Sequence, residues 1–424
     1  MIGAGYVGLT TAACLSSLGH RVTCADVDAG KIERLARGEV SILDPGLPEL
    51  VTENTLAGRL SFVVSSRDAV TAGGGAEVLF LCVPTPMGAG GAADLAALDA
   101  VIREVAGVLP ADCVIVNKST VPVGTAARVA ELVGRDDIAV VSNPEFLREG
   151  SAVSDFLNPD RIVVGSQSQN AAERVAALYA KLGAPTVLTD AASAEMVKYA
   201  ANCFLAMKLS YVNAMAELCE RVGADVVDVT EGMGYDRRIG QSFLAPGPGW
   251  GGSCLPKDTQ ALQQVAQDAG FDFDLLRATI DANFRQRERI VAKIADAAGR
   301  PLAGARIGLL GLTFKAGTDD LRDSPALAVA ALLRERGAEL TGYDPAVPEP
   351  VPGVTDALTV VDTAERAAKG AAALVVLTEW PEFRSLDWGQ LAQIVDQRRV
   401  VDTRNLLDRD VLRRVGFQVR GVGR

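Results

Sequence analysis

Histidine is almost absent. A single one, His20, stands among 424 residues. A Ser-His-Asp triad or a histidine-based metal site would have to use it, and its place at a helix-to-strand junction reads as a surface turn. The seven cysteines (14, 24, 82, 113, 203, 219 and 254) form no Cys-x-x-Cys and show no metal spacing. An odd, unpaired set points to reduced thiols in a cytoplasm, with no metal. No run of about 18 apolar residues occurs, so no membrane span is expected. Positive charge is short as well: 42 Lys and Arg stand against 53 Asp and Glu, a net charge of −11. Nucleic-acid binding, which needs a basic face, is thereby disfavoured. Low-complexity segments are lacking, and no signal peptide is expected, because the N-terminus runs straight into a glycine-rich motif. What remains, 49% hydrophobic and 22% charged residues, describes a globular chain of two or three domains with ample core.

The densest signal is FLAPGPGWGGSCLPKD, residues 243–258. No helix or regular strand tolerates so much Gly and Pro, so it is a loop whose glycines allow close backbone approach or positive φ. Cys254 sits in it among small and polar residues, with Lys257 and Asp258 just after. A nearby ammonium favours the thiolate, the reactive form; the plainer alternative is a small buried hydrophobe.

At the start, MIGAGYVGLT places Gly3, Gly5 and Gly8 in G-x-G-x-x-G. A helix through Leu18 follows, then the strand RVTCADVD with Asp26 and Asp28. Strand end, helix and an acid about 20 residues on make a dinucleotide fingerprint. The glycines let a pyrophosphate approach the helix N-terminus. Asp26 would accept from the ribose hydroxyls, and two carboxylates there favour NAD over NADP. The apolar runs 76–83, 113–119 and 138–145 alternate with helical stretches, which predicts a parallel, doubly wound sheet. Each ends in a polar cluster: Pro84-Thr85-Pro86, Lys118-Ser119-Thr120 and Asn143-Pro144-Glu145. Ligands bind at such carboxyl ends.

From Ala191 to about Val222 the pattern predicts a long helix, apolar nearly all round, buried between domains or subunits. Lys198 and Asn202, four apart, share one face; the plain alternative is a snorkelling lysine beside a satisfied amide. A second helix is expected over 274–298. Strands at 305–311, 338–344, 372–378 and 398–404 then repeat the opening order without the glycine fingerprint. The loop TFKAGTDDLRDSP carries Lys315 and Arg322, suited to phosphate or carboxylate, or simply solvated. The expected class is α/β: two Rossmann-like doubly wound parallel-sheet domains (1–190 and 299–424) joined by a long central helix region (191–298).

GAGYVG, KSTVPVGT, NPEFLREG, PGPGWGGSCLPKD, GLTFKAGTDDLRDSP and DTRN stand in one order along the chain. In that order the whole chain resembles the UDP-glucose/GDP-mannose dehydrogenase family, and PGPGWGG resembles its UDP-glucose members more than its GDP-mannose ones. The resemblance implies a four-electron oxidation of a primary alcohol to a carboxylate with NAD, UDP-glucose being the substrate; the alternatives are GDP-mannose oxidation or a catalytically silent nucleotide-sugar-binding protein. It implies that Lys198, Asn202 and Asp258 assist proton removal and hold the oxyanion, that Cys254 forms a thiohemiacetal and then a thioester, and that Glu145, with Thr120 nearby, activates the hydrolytic water. Cofactor contacts carry over to Gly3, Gly5, Tyr6, Val7, Gly8, Asp26, Lys31, Thr85, Thr120, Glu149, Lys257 and Arg322. Substrate contacts carry over to Glu145, Phe146, Leu147, Lys198, Asn202, Phe243, Leu244, Gly251, Lys315 and Arg404. Arg238 matches a residue that reaches a neighbouring subunit, which implies a homodimer through the central helix. Ala214 stands where many members have a glutamate, and Trp250 where they have Phe or Tyr.

Only Met1 and Ile2 precede Gly3, where a strand of about five residues is usual. A start some 5–10 residues upstream is the expectation this raises.

Overall fold

A computed structural model describes residues 1–424, the side chain of Ala89 excepted. The chain divides into two compact units. Met1–Ala201 with Gln260–Phe271 form one, and Asn202–Thr259 with Asp272–Arg424 the other.

The first unit holds β1 (Val22–Ala25), β2 (Leu60–Val63), β3 (Val78–Leu81), β4 (Val114–Asn117), β5 (Ala139–Ser142), β6 (Ile162–Gly165) and β7 (Thr186–Thr189). β1 pairs with β2, and β3 to β7 lie in sequence order. The ladders are parallel except for a single antiparallel pair, Ser142 with Gly165, that joins β5 to β6. Ile2 bridges Ala25 on one side and Leu81 on the other. Its N–H donates to the Phe80 carbonyl at 2.8 Å, and its own carbonyl accepts from Cys82 N–H at 2.8 Å. Residues 1–3 thus take the place of the central first strand. Every residue of β4 is buried, as a sheet covered on both faces requires.

The second unit holds β8 (Arg306–Leu310), β9 (Glu339–Tyr343), β10 (Thr359–Val360), β11 (Ala373–Val376), β12 (Arg399–Asp402) and β13 (Gln418–Gly421). Their order is β10-β9-β8-β11-β12-β13, all parallel. That is the doubly wound order, with its switch point between β8 and β11. β2, β6, β7, β10 and β13 lie outside the runs that the sequence singled out.

The long helix spans Ala191–Val222, 32 residues without Gly or Pro, and ends at Gly223 with φ 77°, a left-handed position that glycine fills at no steric cost. The second, Asp274–Ala298, ends likewise at Gly299 with φ 64°. The long helix is not covered all round: Phe204, Tyr211 and Leu218 are exposed. No helix among the described residues is long and apolar enough to cross a membrane.

Candidate active site

The three glycines of the fingerprint differ in what surrounds them. A side-chain carbon on Gly3, whose φ is 101°, would lie 2.4 Å from the Cys82 carbonyl oxygen, and one on Gly8 would lie 1.9 Å from the Gly3 carbonyl oxygen. Both positions are closed by packing. On Gly5 it would meet nothing within 4 Å. Gly5 caps the helix Tyr6–Ser17, which has no side-chain cap and no acid in its first turn. The first N–H groups and the positive end of the helix dipole therefore face an open approach, which fits an anion such as a pyrophosphate. Val7 packs against the adjoining core. Asp26 accepts from Ala4 N–H at 2.9 Å and from the Lys31 ammonium at 2.9 Å. Burial works against its charge, but these bonds and that from Asp28 N–H outweigh it and hold the carboxyl below its usual range. Asp28 instead caps the helix Ala29–Ala36 through Lys31 N–H. Tyr6 donates its hydroxyl to Asp44 at 2.5 Å and accepts from Gly150 N–H at 2.8 Å. Its ring thereby anchors the loop of Glu149, which is half-buried.

At the carboxyl ends of β3, β4 and β5 the loops are cross-tied. Thr85 donates to the Thr120 carbonyl at 2.9 Å, and Ser119 to the Val83 carbonyl at 2.7 Å. Glu145 meets Lys198 in a buried ion pair at 2.8 Å, and the same ammonium donates to the Glu145 carbonyl at 2.7 Å. Leu147 N–H donates to the second carboxylate oxygen at 2.6 Å. Burial would raise this carboxyl, yet Lys198, the Leu147 N–H and Lys118 hold it below its usual range. The Phe146 ring has the Arg161 guanidinium 3.5 Å and the Lys198 ammonium 5.4 Å from its centre. The motifs did not single out Glu195, one turn before Lys198. It is buried and accepts from Gly124 N–H (2.7 Å), Ala126 N–H (2.9 Å) and the Ser142 hydroxyl (2.8 Å). It caps the helix Thr125–Val133 from another element and ties the long helix to the loops after β4 and β5.

In the second unit Asn202 donates to Asp258 at 2.5 Å, and Lys257 pairs with the other oxygen of that carboxylate at 2.5 Å. Asp258 is buried. Cys254 precedes the helix Leu255–Asp268 and is half-buried, with the Ser253 hydroxyl 3.6 Å from its sulfur. The six other cysteines are buried; burial pushes the thiols of Cys14 and Cys203 up to about 12. Amides from two helices hold the cysteine loop. Asn213 accepts from Gly247 N–H at 2.8 Å, and Gln286 donates to the Gly247 carbonyl at 2.7 Å. Asn283 bonds both the N–H and the carbonyl of Trp250 (2.8 and 2.9 Å), whose indole donates to Ser210 at 2.9 Å. The glycines are there for contact: a side-chain carbon on Gly251 would lie 2.0 Å from the Asp323 carbonyl oxygen, and one on Gly252 2.7 Å from the Phe314 ring. Phe243 takes φ 63°, a strained conformation for a bulky residue, and Leu244 beside it is buried.

Arg404 donates to the Leu377 carbonyl at 2.9 Å and pairs with Glu379 at 3.1 Å, while Lys315 lies 5.7 Å from the Phe314 ring centre. Arg322 lies on Asp320 of its own loop, and Arg238, exposed, on Asp236. Asp344 occupies the place in this sheet that Asp26 has in the other. It accepts from Leu312 N–H (2.7 Å), Thr313 N–H (3.0 Å) and the Trp380 indole (3.1 Å), and is buried. These donors all converge on Oδ2, while Ala346 N–H donates to Oδ1 at 2.9 Å.

Three family models match in turn. Residues 1–183 match the NAD binding domain of the UDP-glucose/GDP-mannose dehydrogenase family, 192–285 its central domain and 308–409 its UDP binding domain. The chain belongs to that family. Among relatives of this dehydrogenase family, the UDP-glucose 6-dehydrogenase of Rhizobium meliloti (strain 1021) is 44% identical over 434 residues, covering 100% of this chain and 99% of that one. UDP-glucose 6-dehydrogenase TuaD of Bacillus subtilis (strain 168) is 42% identical, covering 100% and 92%. A solved UDP-glucose dehydrogenase from Pyrobaculum islandicum superposes with a TM-score of 0.90 at 37% identity, covering 100% of this chain and 96% of that one.

Proposed function

We propose that this protein is a UDP-glucose 6-dehydrogenase that oxidises UDP-glucose to UDP-glucuronate with NAD and uses Cys254 as its nucleophile. The observation that carries the reading is the setting of Cys254. It is the cysteine left partly exposed while the others are buried, it stands at the start of a helix beside Lys257, and amides brace its loop. The helix start favours the thiolate.

Gly5, the uncapped helix behind it and Asp26 with Lys31 would hold the cofactor, aided by Thr85, Glu149, Lys257 and Arg322. NAD, when bound, would supply the hydride acceptor, a fresh molecule for each of the two oxidations. Lys198, with Asn202 and Asp258, assists removal of the alcohol proton and holds the charge that develops on oxygen. Cys254 then adds to the aldehyde carbon, and oxidation of the thiohemiacetal leaves a thioester. Glu145, ionised, takes a proton from the water that cleaves it, a step in which Thr120 is assigned to assist. Phe146, Leu147, Phe243, Leu244, Gly251, Lys315 and Arg404 are assigned to the nucleotide sugar. In this scheme residues 1–190 serve NAD, 191–298 the dimer and the cysteine loop, and 299–424 the UDP-sugar. The uncovered face of the long helix supports a homodimer, in which Arg238 would reach the partner's substrate. A cytoplasmic location accords with reduced thiols.

Counting NADH formed per UDP-glucose consumed tests the scheme. Two are expected; one, with free aldehyde released, would overturn the thioester. Cys254→Ser should keep the fold and lose net acid formation, and undiminished UDP-glucuronate production by that variant would make the cysteine merely structural.

A further inference from the structure

Lys198 is not the only buried lysine beside Glu145. Lys118, directly after β4, is 5% exposed. Its ammonium donates to Asn143 Oδ1 at 3.1 Å and lies 3.4 Å from the Tyr179 hydroxyl and 5.5 Å from the centre of that ring. The Tyr179 hydroxyl donates to the same Asn143 oxygen at 2.6 Å, and the Asn143 amide donates to the Val163 carbonyl at 2.7 Å. All these partners are neutral. An ammonium buried among neutral groups is expensive, and a hydrophobic side chain of similar size would fill the place at lower cost. The charge has to answer another charge nearby, and the carboxylate that it senses is Glu145, two residues past Asn143 on the same loop.

Two buried lysines therefore serve one buried carboxylate, by different means. Lys198 bonds Glu145 directly. Lys118 bonds the residue that starts the loop. When Lys198 turns to a developing oxyanion, its bond to Glu145 weakens, and Lys118 leaves a positive charge in place.

We propose that Lys118 is the positioning residue of Glu145: through Asn143 it fixes the loop that carries the carboxylate, and its charge adds to that of Lys198 in favouring the ionised form. Burial pushes the Lys118 ammonium down to about 8 against the pull of Glu145, so it is still charged at neutral pH. The other groups facing the pair are Lys198 on the long helix, Arg161 before β6, Cys82 after β3 and Tyr179 before β7. Burial pushes the Cys82 thiol up to about 12 and the Tyr179 phenol higher still, so neither titrates in the neutral range. Lys118 thus acts on the pH response of Glu145 with little interference from them.

The inference rests on Glu145 as the base, and its test separates the two. In the full chain, isotope-edited infrared titration of the glutamate carboxyls reads Glu145 directly, the band being assigned by its loss in Glu145→Gln. In Lys118→Met and Lys118→Gln the Glu145 midpoint should rise by roughly one unit. Lys118→Arg, which keeps the charge, should stay near the wild type. The acid limb of the kcat profile should rise with the midpoint while KM for UDP-glucose holds. An unmoved Glu145 midpoint in either folded neutral variant overturns the inference, even if thermal stability changes. A raised midpoint with an unmoved acid limb sustains it and removes Glu145 as the base.

Discussion

Glu145 shows how one residue joins stability to chemistry. Its carboxylate is buried against Lys198 and held below the usual range, burial being outweighed by the two lysines and the Leu147 N–H. Glu145→Gln would strand the Lys198 charge, and breaking a buried pair in this way costs about 3–5 kcal/mol. The sign of the pH dependence follows from the lowered value. The ionised carboxylate contributes its stabilisation above the unfolded value of about 4.3 and loses it as pH falls through the folded one. Urea midpoints for wild type and Glu145→Gln should therefore differ most near neutrality and converge on acidification. A gap that stayed constant down to the lowest pH at which the protein folds would mean that the Lys198 pair contributes no net stability.

Among the elements, glycine loops and strand ends were legible because their constraints are local. G-x-G-x-x-G and PGPGWGGSC carry their conformations within a few residues. The long helices were legible for the same reason, each being a periodic run closed by a glycine. The short strands β6 and β7 were not: each has four residues, and β7 is largely exposed. Glu195 could not be read at all, since the N–H groups it caps lie 71 and 69 residues away in the chain. Asn213 and Asn283 were missed likewise, because their partners lie 34 and 33 residues away. Even inside the fingerprint, the sequence did not tell packing glycines from the open one. That difference yields a prediction. Gly5, with φ −77°, accepts a methyl group without strain, so Gly5→Ala should leave the thermal midpoint unchanged and raise KM for NAD by roughly tenfold, about 1.4 kcal/mol. Gly8→Ala drives a carbon into the Gly3 carbonyl and should lower the midpoint itself. Equal effects of the two on NAD binding, with both folds intact, would show that Gly5 does not face the cofactor.

For the molecule as a whole the open quantity is the strength of the proposed dimer. Phe204, Tyr211 and Leu218 recur every seven residues on one helix face, about half exposed at 57%, 52% and 48%. Covering what remains exposed would contribute about 1 kcal/mol each, or roughly 6 kcal/mol for the six side chains of two copies. A micromolar complex needs about 8 kcal/mol net of the association cost. The stripe alone falls short, so the interface has to enlist further exposed apolar side chains, for which Leu275 and Phe284 of the helix Asp274–Ala298 are candidates. Each protomer also carries a net charge of −11, which opposes association at long range and is screened by salt. Light scattering should therefore find a dimer whose dissociation constant falls as salt is raised from low to physiological strength. Tyr211→Arg places a charge in the middle of the stripe and should give a folded monomer. If Arg238 completes the partner's site, that monomer should show a raised KM for UDP-glucose and an unchanged KM for NAD. A Tyr211→Arg protein that remained dimeric would move the interface off this helix, and a monomer with unaltered KM for UDP-glucose would leave Arg238 outside the substrate site.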